Sequence, residues 1–274
     1  MEQTLSDSLF QQFSRLVYDQ CGINLHEGKK ALLQARLNKR MRTTGFTRYD
    51  EYYKYIESGA HADEMVHFLD CISTNLTYFF REPQHFEFLE QTLLPELLEA
   101  KNRDRVNRLR IWSAGCSTGE EPYSLAMCVL PHLQDARRWD FRILATDIST
   151  RVLQVATQGV YTMEKIMKVP LPLQKACFTR VSKEEGTFGV APHIKSIISF
   201  RRLNLMEPYP FKGPFDVIFC RNVMIYFDKA TQEELIGKFA SYLGPQGHLF
   251  VGHSESLTGL RHSLSYVRPA VYRK

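Results

Sequence analysis

The stretch Leu109-Arg-Ile-Trp-Ser-Ala-Gly115-Cys-Ser-Thr-Gly119-Glu-Glu-Pro122-Tyr-Ser124 decides the fold. An apolar run of strand character passes through a glycine-containing turn into a helix that starts near Glu120. Pro122 is tolerated there because the first turn of a helix does not use its amide. Outward from this unit, strand candidates at Leu109–Ala114, Phe141–Ala145, Ile198–Arg202, Asp216–Cys220 and His248–Gly252 alternate with helices at 120–134, 149–157 and 230–243. That alternation predicts an α/β fold with a parallel sheet covered by helices. Leu264–Val267 and Ala270–Tyr272, around Arg268-Pro269, read as a closing hairpin. Residues 178–197 break the pattern with two strand-like runs around Glu184-Glu185-Gly186 and predict a small inserted antiparallel β subdomain. Before residue 80 no strand is needed. Leu9, Phe13, Leu16 and Val17, then Leu33, Leu37 and Met41, recur at helical spacing, and 49–57 and 62–75 are amphipathic. The expected division is an N-terminal helical domain over 1–80 and the α/β domain over 81–274.

A strand, a glycine turn and a helix place a nucleotide at the carboxyl end of the first strand. The loop lacks the Lys of a phosphate-binding G-x-x-x-x-G-K-[ST], and its G-x-x-x-G spacing is not G-x-G-x-x-G. Two acids, Glu120 and Glu121, follow it, where a pyrophosphate would want bare amides. Acidic walls fit a phosphate-free cation, and S-adenosylmethionine is one. Asp147 ends the second strand, where a carboxylate can accept both ribose hydroxyls; the other reading is an N-cap for the helix at 149–157. Asn204 and Leu205 follow the third strand; Arg221 and Asn222 end the fourth; all four reach the same sheet edge. Tyr226 either points into that cleft or lies half-buried under the edge. Thr74 to Glu82 reads either as a helix end and linker or as a lid that turns Asn75, Thr77 and Arg81 toward the cofactor.

Composition narrows the class. The 274 residues are 44% hydrophobic and 24% charged, with 35 Lys+Arg against 30 Asp+Glu, which excludes a disordered tail. Asp216, Arg221 and Asn222 interrupt the most apolar stretch, so no membrane span is expected. With no apolar run after Met1-Glu2, the expected location is cytoplasmic. Cysteines 21, 71, 116, 128, 177 and 220 form no C-x-x-C pair and read as buried reduced thiols. His61, His67 and Cys71 lack zinc spacing, so no metal is expected. Lys29, Lys30, Arg36, Lys39, Arg40, Arg42 and Arg48 fall in a stretch without an acid. This run reads as a solvated face, as a dock for an acidic protein surface, which is preferred, or as an RNA site. RNA is disfavoured because aromatics are not interleaved with the bases.

The chain resembles the chemotaxis receptor methyltransferase family, CheR. The resemblance rests on Thr74-Asn-Leu-Thr-Tyr-Phe-Phe-Arg-Glu82, Trp112 to Ser124, Ala145-Thr-Asp-Ile-Ser149, Phe215-Asp-Val-Ile-Phe-Cys-Arg-Asn-Val-Met-Ile-Tyr-Phe-Asp228 and Gly252-His-Ser-Glu-Ser256. It implies a Rossmann-like methyltransferase sheet with an N-terminal helical domain and the inserted β subdomain. It further implies transfer of methyl from S-adenosylmethionine to glutamate carboxylates of chemoreceptors. Cofactor contacts are implied at Asn75, Thr77, Arg81, Glu121, Asp147, Asn204, Leu205, Arg221 and Asn222, with Arg81 and Tyr226 near the transferred methyl. Arg36, Lys39 and Arg40 are the implied dock for the receptor's acidic helices. In some members the β subdomain grips a receptor peptide tether through a glycine-bearing loop; here Arg180 to Gly186 carries one glycine. The expected state is a monomer that neither binds nucleic acid nor inserts in a membrane. The competing classes are a non-catalytic cofactor-binding module, an RNA methyltransferase and an NAD oxidoreductase.

Overall fold

The computed structural model describes residues 4–133 and 138–274. Four helices open the chain: α1 (Asp7–Cys21), α2 (Lys30–Thr44), α3 (Tyr49–Glu57) and α4 (Ala62–Ile72). Ser6 caps α1 by accepting from the Leu9 amide at 3.2 Å, and Gly22 ends it with φ 74°, a conformation that favours glycine. Their apolar stripes meet around Phe13, whose ring touches those of Tyr52, Tyr53 and Phe68. Phe13, Tyr52 and Phe68 are wholly buried, so trimming Phe13 to Ala would cost about 3–5 kcal/mol.

A helical run then follows in three contiguous pieces: α5 (Pro83–Phe88), a π-helical stretch Leu89–Leu93 and α6 (Leu94–Arg103). The larger sheet then contains β1 (Arg108–Ala114) and β2 (Asp140–Asp147), with α7 (Glu120–Val129) between them and α8 (Thr150–Gln158) after β2. A smaller sheet is made of β3 (Val160–Thr162), β4 (Phe178–Ser182) and β5 (Thr187–Val190), antiparallel in the order β3-β5-β4. It therefore begins before the expected 178–197. Three residues at 160–162 are too short to show a period of two. The chain returns through β6 (Ile198–Arg202), β7 (Phe215–Cys220), α9 (Lys229–Tyr242), β8 (Leu243–Val251) and the hairpin β9 (Ser265–Arg268) with β10 (Val271–Arg273). β8 starts earlier than His248, because Leu243 already pairs with Phe215 ahead of an irregularity in which Gln246 takes φ 64°.

The strand order is β6-β2-β1-β7-β8-β10-β9, parallel from β6 to β8 and antiparallel at the β10 edge. From β1 the chain winds outward to β2 and β6, then returns to β7 on the other side. The switch point therefore lies between β1 and β7, and ligands in such sheets bind beyond the carboxyl ends there. Trp112 packs wholly buried under this region among Tyr209, Phe211, Phe215 and Phe239, and its Nε1 donates to Thr146 Oγ1 at 2.9 Å. That bond ties β1 to the residue before Asp147.

Hydrogen bonds hold the helical bundle against the carboxyl end of the sheet. Asn24 N donates to Tyr226 O at 2.8 Å, Tyr18 Oη to Asp228 Oδ2 at 2.8 Å, and Asn204 Nδ2 to Gln20 O at 2.7 Å. Asp70 accepts from the Thr150 amide and hydroxyl at 2.8 and 2.7 Å, satisfying the free amide end of α8. All six cysteines are free, and all but Cys71 are buried. Among the described residues no helix is long and apolar enough to cross a membrane.

Candidate active site

A cavity of about 320 Å³ lies between the bundle and the carboxyl ends of the central strands, within the range of small-molecule sites. Asn75, Thr77, Arg81, Glu121, Asp147, Asn204, Leu205, Arg221, Asn222 and Tyr226 all line it. Arg36 lines it too, whereas Lys39 and Arg40 do not.

Gly115 and Gly119 serve different surfaces. Gly115 lines the cavity with φ 83°, and a Cβ there would come within 2.4 Å of Val223. Gly119 (φ 94°) lies against α8, where a Cβ would meet that of Ala156 at 2.8 Å. Its glycine answers helix packing as well as the turn.

Asp147 is buried at the end of β2. Its Oδ2 accepts from the Ser117 amide at 2.8 Å and its Oδ1 from the Ser149 amide at 2.9 Å. Each oxygen keeps a lone pair for a ribose hydroxyl. Ser149, not Asp147, caps α8, by accepting from the Val152 amide. Burial raises the Asp147 carboxyl, only partly offset by the two amides.

The two acids after Gly119 divide. Glu120 turns away, fully buried, and takes Thr118 Oγ1 and Lys165 Nζ at 2.6 Å each. Glu121 faces the cavity, accepting from Ser113 Oγ at 2.7 Å and from Arg221 Nη1 at 3.1 Å. Burial raises its carboxyl against the pull of the Arg221 charge. Arg221 is therefore committed to the protein. Its side chain is 1% exposed, and it donates to Glu121, to Glu82 Oε2 at 2.9 Å and to Arg81 O at 2.5 Å. Asn204 is similarly engaged, by Gln20 O, Glu207 and the Met206 amide.

The segment before α5 lies over the cavity. Ser117 Oγ donates to Asn75 O at 3.0 Å, Arg81 Nη1 donates to Leu76 O at 2.8 Å, and the Arg81 guanidinium lies 5.9 Å from the Tyr78 ring centre. Phe80 and Glu82, on either side of Arg81, take φ 53° and 56°. Two non-glycine residues in the left-handed region bracket Arg81, so the surrounding contacts must impose its position.

Sequence reasoning missed two residues. Glu82 anchors the segment through Arg221, the His253 amide at 3.2 Å and Asn222 Nδ2 at 3.3 Å. Glu255 accepts the Asn222 amide at 2.8 Å, the Ile225 amide at 3.2 Å and the Gly252 amide at 2.5 Å, and so fixes the loop that carries Tyr226. An acid beside Arg81 and another in His253-Ser-Glu255 were the available signals. Glu82, His85 and His253 also bring ligand-type atoms within 4.8 Å of one another. Arg221 and Asn222 already donate to the two oxygens of the Glu82 carboxylate.

In the bundle, Arg40 is drawn inward. Its Nε donates to Glu64 Oε1 at 2.9 Å and its Nη2 to Oε2, while Tyr52 Oη donates to Oε1 at 2.7 Å. Arg36 donates to Ile72 O and to Thr74 Oγ1 at 2.9 Å, next to the cavity segment, and Lys39 is exposed. These three basic residues of α2 therefore divide into one partner of Glu64, one strut at the cavity rim and one exposed side chain.

The family description "CheR methyltransferase, SAM binding domain" matches residues 75–272, and "CheR methyltransferase, all-alpha domain" matches 8–73. The chain belongs to the CheR methyltransferase family. Membership makes it a methyltransferase that uses S-adenosylmethionine (SAM). Relatives include the chemotaxis protein methyltransferase of Borreliella burgdorferi, 42% identical over 95% of this chain and 92% of that protein, and that of Escherichia coli K12, 40% identical over 98% and 91%. The probable chemotaxis protein methyltransferase of Rhizobium etli is 41% identical over 94% of this chain and 96% of that one.

Proposed function

We propose that this chain transfers a methyl group from SAM to glutamate side-chain carboxylates of chemoreceptor cytoplasmic domains, giving methyl esters and S-adenosylhomocysteine (SAH). The observation that carries this reading is the cavity at the β1/β7 switch point, walled by the carboxylates of Asp147 and Glu121 beside a glycine turn that lacks the lysine of a phosphate-binding loop. Its size and its acceptor-rich wall fit an adenosine compound that bears positive charge. SAM supplies an electrophilic methyl carbon when bound.

The residues bind and orient. Asp147 takes the ribose hydroxyls and Glu121 the cationic amino-acid end. Asn75, Thr77, Asn204, Leu205 and Asn222 complete the walls, with Arg221 behind Glu121. A glutamate nucleophile is already ionised at neutral pH, so no general base is required. Rate then comes from alignment and from excluding water. Arg81 and Tyr226 orient the incoming carboxylate at the mouth. A guanidinium that gripped both carboxylate oxygens would blunt the nucleophile, so Arg81 holds one. Lys39 and Arg36 supply positive charge for an acidic receptor helix, and Arg40 supports their helix from within. The working form is a cytoplasmic monomer.

The test incubates the protein with tritiated SAM and receptor-rich membranes. Base-labile methyl counts on the receptor band are expected. Counts on total RNA instead, or binding without transfer, would overturn the reading. Arg81→Ala is expected to lower turnover at least about tenfold while the calorimetric Kd for the cofactor changes less than about threefold. Near-normal transfer would reduce Arg81 to a structural role.

A further inference from the structure

Two residues of the segment over the cavity rest on the inserted β subdomain. Phe79 is wholly buried, and its ring meets those of Tyr161 in β3 and Phe178 in β4 edge-on, at 5.0 and 5.5 Å. Tyr78 lines the cavity, and Lys168 Nζ lies over its ring, 3.7 Å from the centre. Lys168 is exposed, belongs to the connection from β3 to β4, and does not itself line the cavity. The same ring has the Arg81 guanidinium 5.9 Å from its centre. Among the described residues no carboxylate pairs with either cation. Lys165, three residues before Lys168, is already taken by Glu120.

A ring face attracts a cation and so holds ring and cation in one relative orientation. Arg81 has one hydrogen bond, from Nη1 to Leu76 O, which fixes a single point of the guanidinium. The Tyr78 ring limits its swing about that point, provided that the ring itself stays in place. Phe79, packed on the small sheet, anchors the backbone beside the ring, and Lys168 holds the ring itself. We infer that Lys168 and Tyr78 are positioning residues: the subdomain's lysine fixes the Tyr78 ring, and the ring keeps Arg81 aimed at the mouth of the cavity. This inference rests on the reading that Arg81 orients the incoming carboxylate. It gives the insertion a task inside its own chain, as the seat of the segment that covers the cofactor. Because Lys168 is outside the cavity wall, its loss falls on turnover and not on cofactor affinity.

Methyl transfer from tritiated SAM to receptor-rich membranes, with the cofactor Kd read by calorimetry, tests this on Lys168→Met, Lys168→Arg, Tyr78→Phe and Arg81→Ala, alone and combined. In Lys168→Met kcat is expected to fall about two- to fivefold, the size of one cation–ring contact at an exposed site, with the cofactor Kd within about twofold. Lys168→Arg, which keeps a cation over the ring, should restore turnover. Tyr78→Phe keeps the ring, so Lys168→Met should cost the same in that background. In Arg81→Ala, Lys168→Met should cost nothing further, a lost response that a merely structural lysine does not show. The other cations that line the cavity, Lys29, Arg36 and Arg221, stay in place in every variant. An equal fall with and without Arg81, or Lys168→Arg as slow as Lys168→Met, overturns the inference. So does a raised cofactor Kd at unchanged kcat, or no change in either. If a combined variant fails to fold, the rescue by Lys168→Arg decides. Wild type that methylates no receptor overturns the reading of the site itself, an outcome distinct from an active enzyme insensitive to Lys168.

Discussion

Arg40 and Arg221 are both largely buried arginines held by carboxylates, but they stand in different company. In the bundle one guanidinium meets one acid, Glu64, and Tyr52 completes that acid's hydrogen bonds. The pair is neutral, and neither member lines the cavity. Beside the cavity one guanidinium meets two acids, and one of those faces the ligand space. A closed pair specifies how helices pack, and the triad also fixes an acid of the cavity wall. Burial of an arginine by itself distinguishes neither role; where its acids face does.

The largest effect that would break this contrast is Arg221→Met. Two carboxylates would then lie buried without their cation. We expect methyl transfer to fall at least about a hundredfold and unfolding stability to fall by about 3–5 kcal/mol, read by initial rates and by urea titration. Transfer within tenfold of wild type would show the triad to be ordinary scaffolding. Next is Arg40→Met, which should cost about 3 kcal/mol in the same titration while the cofactor Kd stays within about twofold. A large loss of affinity would show that the bundle pair reaches the site.

The smallest effect sharpens the comparison through pH. Burial would raise the Glu64 carboxyl, but hydrogen bonds from Arg40 and Tyr52 hold it below its ordinary value. A depressed carboxyl contributes stability that is complete above its unfolded pKa of about 4.3 and is lost as pH falls toward the folded value. Glu121 is shifted upward, so its contribution has the opposite sign. Glu64→Gln should therefore flatten the acid side of a stability–pH curve where pH falls below about 4.3, the ordinary carboxylate value. An unchanged slope would deny Glu64 that role.

The central strands were legible because burial writes apolar runs, and because those of β2 and β7 end at polar residues that reach the switch point, Asp147 and Arg221. Gly22 and Gly45, which end α1 and α2 with φ 74° and 81°, are of a residue type that marks such ends. Other features lacked a local signal. Val160–Thr162 is too short for a period. Phe80 and Glu82 take left-handed conformations where residues far along the chain hold them, Ser124 taking the Phe80 amide and Arg221 and His253 the Glu82 carboxylate, and neither residue type advertises them. Arg40 sits in a run of bases, and only Glu64, on another helix, turns it inward.

The cavity has walls from two separately cored bodies. Asn24, Gln20 and Tyr18 reach across from the bundle, and Tyr226, Asn204 and Asp228 answer from the sheet. A ligand seated there touches both and acts as mortar between them. Free energy of binding then becomes cohesion between domains, growing as RT ln(1 + [L]/Kd) with ligand concentration. Melting in saturating cofactor should merge into a single cooperative step, whereas the empty protein is free to loosen at the seam first.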